Sequence, residues 1–204
     1  MKKIKSFILI SILFIFFFII NATSYANTIS EKLSNTFLRL HIIANSDSAE
    51  DQELKLKVRD EIIKYMNSLI KENNSKKEIV EICEENFSKF EQIAQKVISE
   101  NGYNYDVKIS IENTIFPTKE YGNISLPAGY YDALKIEIGD AIGQNWWCSL
   151  FPPLCFVDIS SGVIDSKGKE YLKENLSNEE FSVVTGDSNQ IKFKFKIIEF
   201  LNSN

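Results

Sequence analysis

Residues 37–69 read FLRLHIIANSDSAEDQELKLKVRDEIIKYMNSL, and the change of period inside this stretch decides the fold class. From Phe37 to Ile43 apolar residues alternate with Arg39 and His41 before becoming continuous, the pattern of a strand with one face in a core. At Asn45-Ser46-Asp47-Ser48 the pattern breaks into residues that cap helices. Asp47 with Glu50, or Ser48 with Asp51, has the three-residue spacing of a capping box. Acids at 50, 51 and 53 suit the positive end of a helix dipole. Leu54, Val58, Ile62, Tyr65 and Leu69 then recur every three or four residues, which predicts a first helix running to about Lys71 with one apolar stripe.

Downstream, Ser75-Lys76-Lys77-Glu78 is a second capping box, and Ile79, Cys83, Phe87, Phe90, Ala94 and Val97 extend a second helix that Asn101-Gly102 ends. Val107, Ile109 and Ile111 alternate with polar residues, as do Leu134, Ile136 and Ile138, and each set reads as a strand. A short helix over roughly 167–175 and a last strand at Ile191–Ile197 follow an aromatic region read as irregular. This order predicts an α+β fold: a mostly antiparallel sheet with a long helical hairpin packed on one face. No repeat or low-complexity linker divides residues 27–204, which read as a single domain.

Upstream, Lys2, Lys3 and Lys5 precede an uncharged apolar run from Ser6 to Ile20, followed by Ala22, Ser24 and Ala26. Basic, then apolar, then small is the order of a secretory signal, with cleavage expected after Ala26. The run spans ~22 Å at ~1.5 Å per residue, short of the ~30 Å hydrocarbon core; the alternative is an uncleaved anchor. Both place the domain outside the cytoplasm. Removing residues 1–26 takes away three lysines and no acid, shifting the formal charge from −5 to −8. Such an acidic domain argues against nucleic acid or an anionic membrane surface as the main partner. Membrane contact is then expected only through the signal segment, if it stays uncleaved.

Residues 143–158, GQNWWCSLFPPLCFVD, hold both tryptophans and two of the three cysteines. Pro152 and Pro153 stiffen the chain between Cys148 and Cys155, and in an exported protein these cysteines are expected to form a disulfide. Cys83 falls on the apolar stripe of the second helix and reads as a core residue. The single histidine, His41, lies inside a predicted strand, so a Cys/His dyad has no local support. One histidine cannot complete a zinc site cheaply. The acids at 47, 50, 51 and 53 lack the alternation and glycine of a calcium loop and are read as capping groups. No cofactor, metal or small-molecule substrate is expected. Trp146, Trp147, Phe151 and Phe156, flanked by Asn145 and Asp158, read equally well as core and as an exposed anchor patch for a protein partner.

Three segments carry a family resemblance: LRLHIIANSDSAEDQELKLKVRD at 38–60; Phe116-Pro117-Thr118-Lys119, Tyr121-Gly122 and Leu126-Pro127-Ala128-Gly129 leading to Tyr131 and Ala133-Leu134; and the tryptophan segment itself. Together they resemble the stage II sporulation protein R family of endospore-forming bacteria. Tyr130 departs from that pattern, which has an acidic residue there. The resemblance implies a signalling protein rather than an enzyme, exported from the forespore into the space between the forespore and mother-cell membranes. There it would bind the outer face of a membrane-embedded aspartic protease and trigger cleavage of the sigma-E precursor. The partner-binding candidates are Asn45, Ser46, Asp47, Arg59, Tyr130, Tyr131, Trp146 and Trp147. The competing classes are an exported hydrolase with a carboxylate mechanism and an envelope-binding structural module.

Overall fold

The computed structural model describes residues 2–71, 74–155 and 166–186. In chain order the elements are helix α1 (Lys2–Thr36), strand β1 (Leu38–Ile43), helices α2 (Ala49–Leu69), α3 (Lys76–Glu85) and α4 (Phe87–Glu100), strands β2 (Val107–Phe116), β3 (Lys119–Tyr121), β4 (Ile124–Leu126), β5 (Gly129–Ile138) and β6 (Asn145–Phe151), and helices α5 (Ser166–Asn175) and α6 (Asn178–Thr185). The fold is α+β. The last strand expected, at 191–197, lies outside the described residues, as do Phe156 and Asp158.

The main sheet has the order β2-β5-β1-β6, and β3 and β4 form a separate hairpin. β5 pairs antiparallel with β2, and β6 antiparallel with β1, but β1 and β5 run parallel. Register assigns the faces. Leu40 lies beside Leu134 and Cys148 on the face toward α2–α4, whereas Arg39 sits with Ala133 and Ser149, and His41 with Lys135 and Trp147, on the other. Leu54, Val58, Ile62 and Met66 of α2, Ile79 and Cys83 of α3, and Phe90 and Ala94 of α4 form a buried layer against that first face, so the hydrophobic effect holds helices and sheet together.

Capping follows the sequence closely. Ser48 Oγ accepts from Asp51 N (3.1 Å), choosing Ser48 over Asp47 as the N-cap of α2. Ser75 and Glu78 make the reciprocal box that starts α3. The helix expected to run on to 100 is instead divided at Asn86, whose backbone leaves helical values (φ −108°, ψ 11°). Its amide donates to Ile82 O (2.8 Å) and accepts from the Tyr65 hydroxyl (2.6 Å), so an asparagine that competes with the helix backbone is held by its neighbour in α2.

Two further findings correct the reading from sequence. The tryptophan segment is not a loop: residues 145–151 form strand β6 at the edge of the described sheet, paired in register with β1 from Asn145 to Ser149 and shifted by one residue at Phe151. Residues 27–36, to which the reading from sequence assigned no element, are helical. They continue α1, with Ile29 and Leu33 buried in the core and Lys76 Nζ donating to Ser34 O (2.7 Å).

Candidate functional site

The turn after β1 is built around one carboxylate. Asp51 is 5% exposed, and its Oδ2 accepts from Asn45 Nδ2 (2.9 Å) and Ser46 Oγ (2.6 Å). Burial by itself would raise the Asp51 pKa, but the hydrogen bonds from Ser46 and Asn45 favour the charged form and bring it below the ordinary value. Asn45 also binds the loop after β5: its Oδ1 accepts from Asp140 N (3.0 Å), and Gly143 N donates to Ala44 O (3.0 Å). A Cβ on Gly143 would collide with the Ser46 carbonyl, so glycine lets the two loops touch. Lys55 reaches across from α2 to Gln144 O (2.8 Å). Two loops far apart in sequence thus become one rigid end of the domain.

At this end β6 begins, and its two tryptophans point to opposite faces. Trp146 lies on the helix side, half-buried, with the Arg59 guanidinium 4.2 Å from its ring centroid and Arg59 in turn paired with exposed Asp60 (2.6 Å). Trp147 stacks on His41 (centroids 3.7 Å apart) and meets Phe116 edge-on (4.4 Å). His41 Nε2 donates to Asn145 Oδ1 (2.6 Å), which leaves Nδ1 buried and unpartnered. Burial lowers the His41 pKa; the Asn145 hydrogen bond opposes this, and nearby Lys135 adds to it. Burial thus favours the neutral imidazole, which packs between Trp147 and Phe116.

Arg39 occupies the middle of the same face, wholly buried, and sequence reasoning had passed over it. Its Nε donates to Cys148 O (3.0 Å) and its Nη2 to the Tyr121 hydroxyl (3.2 Å), and its guanidinium lies 4.4 Å from the Phe116 ring centroid and 4.9 Å from that of Tyr131. Aromatic faces and neutral acceptors replace the carboxylate that a buried cation usually takes. The Arg–Leu–His alternation marks the strand but says nothing of which residue crosses over it, so only the β3–β4 hairpin, which brings Tyr121, reveals the role. Cys148 and Cys155 are joined in a disulfide with Cα atoms 5.4 Å apart.

The eight candidate contact residues do not form one patch. Asn45, Ser46, Asp47, Arg59, Trp146 and Trp147 gather at the end where β1 stops and β6 starts. Tyr130 and Tyr131 lie at the opposite end of β5, about 27 Å away at ~3.4 Å per residue. Tyr131 is wholly buried, with its hydroxyl donating to Pro127 O (2.9 Å), and it belongs to the core; Tyr130 is 63% exposed. The structure adds Ile142, 76% exposed on the loop laced to the Asn45 turn. Its isolation between Ala141 and Gly143 gave no periodic signal. Among the described residues no group of three or more His, Cys, Asp or Glu is placed to hold a metal ion.

The family model described as stage II sporulation protein R matches residues 34–161. The chain belongs to the stage II sporulation protein R family. It is also 40% identical over 139 residues to the stage II sporulation protein R of Bacillus subtilis (strain 168), a match covering 67% of this chain and 62% of that protein. The chain thus spans about three-fifths of the length of that relative. No solved structure matches. The stage II sporulation protein R region encloses β1, the Asn45 turn, the Arg39 cluster and the disulfide, whereas the apolar part of α1 precedes it.

Proposed function

We propose that the chain is an exported signalling protein that passes from the forespore into the space between the two membranes. There it binds the outer face of a membrane-embedded aspartic protease, shifts it to its active state, and so brings about cleavage of the sigma-E precursor. Membership of the stage II sporulation protein R family carries this reading. The N-terminal apolar helix and the disulfide fit an exported protein. A ligand activates only by binding the active arrangement more tightly than the inactive one, so the contacting surface must be well defined before contact. The rigid end bearing Asp47, Arg59, Ile142 and Trp146 meets that requirement.

The test is reconstitution: this chain, the membrane protease and the precursor are produced together in a host lacking all three, and precursor cleavage is followed with and without the chain. Cleavage that depends on the chain is expected. No cleavage, with an exported, folded chain and a competent protease, overturns the reading. Ile142→Ala and Asp47→Ala, at exposed side chains, are expected to reduce cleavage while leaving the melting temperature unchanged.

A further inference from the structure

The bond expected to be cut on export, Ala26–Asn27, lies inside a helix and not in the connection after one. α1 runs unbroken from Lys2 to Thr36, and Thr28 Oγ1 donates to Ser24 O (2.9 Å) across that bond. A protease takes its substrate as an opened, extended segment, so a helical bond is cut only through the population in which the helix has come apart around it. How often α1 opens there depends on what holds the two flanks of the bond.

Both flanks are held by the domain. On the C-terminal side Ile29 is 4% exposed and Leu33 wholly buried, and Ser30 Oγ lies so close to Gly129 that a Cβ there would collide with it. Lys76 Nζ of α3 donates to Ser34 O (2.7 Å) in the same turn. On the N-terminal side α1 packs against α6, where the Tyr25 hydroxyl donates to the Glu179 carboxylate; partial burial first, and this carboxylate second, raise the Tyr25 pKa. Glu179 is itself fixed in the first turn of α6, which starts with the reciprocal Ser177–Glu180 capping box. Opening the helix from Ser24 to Ile29 therefore draws Ile29 out of the core and Tyr25 off α6. Exposing one buried isoleucine lowers the open population by a factor on the order of 10 to 100 before any helix hydrogen bond is counted.

We propose that folding of the domain switches off leader removal: the Ala26–Asn27 bond is open to a leader peptidase only until Ile29 and Leu33 enter the core and α6 docks on α1. A chain processed before that point starts at Asn27, and Asn27–Thr36 still completes the core. A chain that folds first keeps residues 1–26. The order of folding and processing, and not the small residues at the cut site alone, then decides which of the two forms arises. The inference rests on reading residues 1–26 as an export leader and is independent of the contact with a membrane protease.

The full chain is synthesised in a cell-free system containing detergent micelles, and bacterial signal peptidase is added either at the start of synthesis or after folding is complete. Mass spectrometry follows the appearance of a chain that starts at Asn27. Cutting is expected to be at least about tenfold slower on late addition. Leu33→Ala, which loosens the C-terminal flank, and Glu179→Ala, which frees Tyr25, are both outside the sequence that the peptidase reads and should each speed late cutting several-fold. Glu179 is exposed, so its variant decides the matter even if Leu33→Ala fails to fold. Equal rates in the two arms overturn the proposal. So does slow late cutting that neither variant speeds, because the protection then comes from the micelle and not from the fold. No cutting in either arm overturns it together with the leader reading.

Discussion

Opening the Cys148–Cys155 bridge removes a ring of eight residues that encloses Pro152 and Pro153. On the chain-entropy model a loop of that size is worth about 2.5 kcal/mol, because the bridge denies the unfolded chain its open conformations. The two prolines already restrict that unfolded segment, so the figure is an upper value. Cys148 is 2% exposed between β1 and the helix layer, and replacing it by alanine adds a packing loss that reduction alone does not. The clean comparison is therefore urea denaturation of the same sequence, oxidised and reduced. With a slope of ~2 kcal/mol/M, the midpoint is expected to fall by about 1.2 M with the slope unchanged. Burial pushes the Cys83 thiol up to about 12 in the folded chain, but unfolding exposes it, so the titrations are run at about pH 5, where thiol–disulfide exchange is slow. A midpoint shift below ~0.3 M would show that the prolines and the Arg39 contact to Cys148 O, not the bridge, hold the end of β6.

Leu33→Ala is expected to destabilise the domain by about 3 kcal/mol, as for a fully buried leucine, measured by denaturation of residues 27–204; a loss under ~0.5 kcal/mol would mean that α1 is not part of the core. His41 has a folded pKa below the ordinary value, so the unfolded chain takes up a proton at ~6.5 while the folded chain does not. Stability should therefore fall as pH drops from about 7 toward 5, and His41→Gln should flatten that part of the melting-temperature profile. The charges facing it are those of Lys135, Glu137 and Glu112, and the two carboxylates, whose pKa values are lowered, do not titrate in that window. Asp51→Asn keeps one acceptor but loses the charge that holds Asn45 and Ser46, and is expected to cost about 2 kcal/mol.

Local signals were legible wherever one residue type satisfies one backbone need. Ser48 and Ser75 cap the helices where their spacing says they should, because a cap depends only on three or four neighbours. The alternation in β2 and β5 was legible for the same reason. The parallel pairing of β1 with β5 was not, since pairing partners about ninety residues apart leave no periodic trace and only register fixes them. β6 escaped notice because its apolar run does not alternate: burial on both faces at Cys148–Phe151 erases the period. Arg39, Tyr121 and Tyr131 carry no local signal of contact, and it is the packing of the β3–β4 hairpin and β5 that brings the two tyrosines to Arg39.

These placements change how contact residues must be tested. Asn45 and Ser46 are candidates by motif, yet each spends its side chain on Asp51, so replacing either perturbs the turn as well as any partner. Loss of signalling in Asn45→Ala would therefore not distinguish a broken surface from a broken scaffold. Asp47 and Ile142 lie on the same end with exposed side chains, and Asp47 acts on its surroundings through its charge on Lys55. If the end of the domain that carries them is the contact surface, their alanine variants should lose cleavage while retaining the wild-type denaturation midpoint, and Asp51→Asn should lose both. If Asp51→Asn loses both while Asp47→Ala and Ile142→Ala remain fully active, the carboxylate serves the fold alone and the contact must be sought elsewhere, with the half-buried Arg59–Trp146 pair next to be tested.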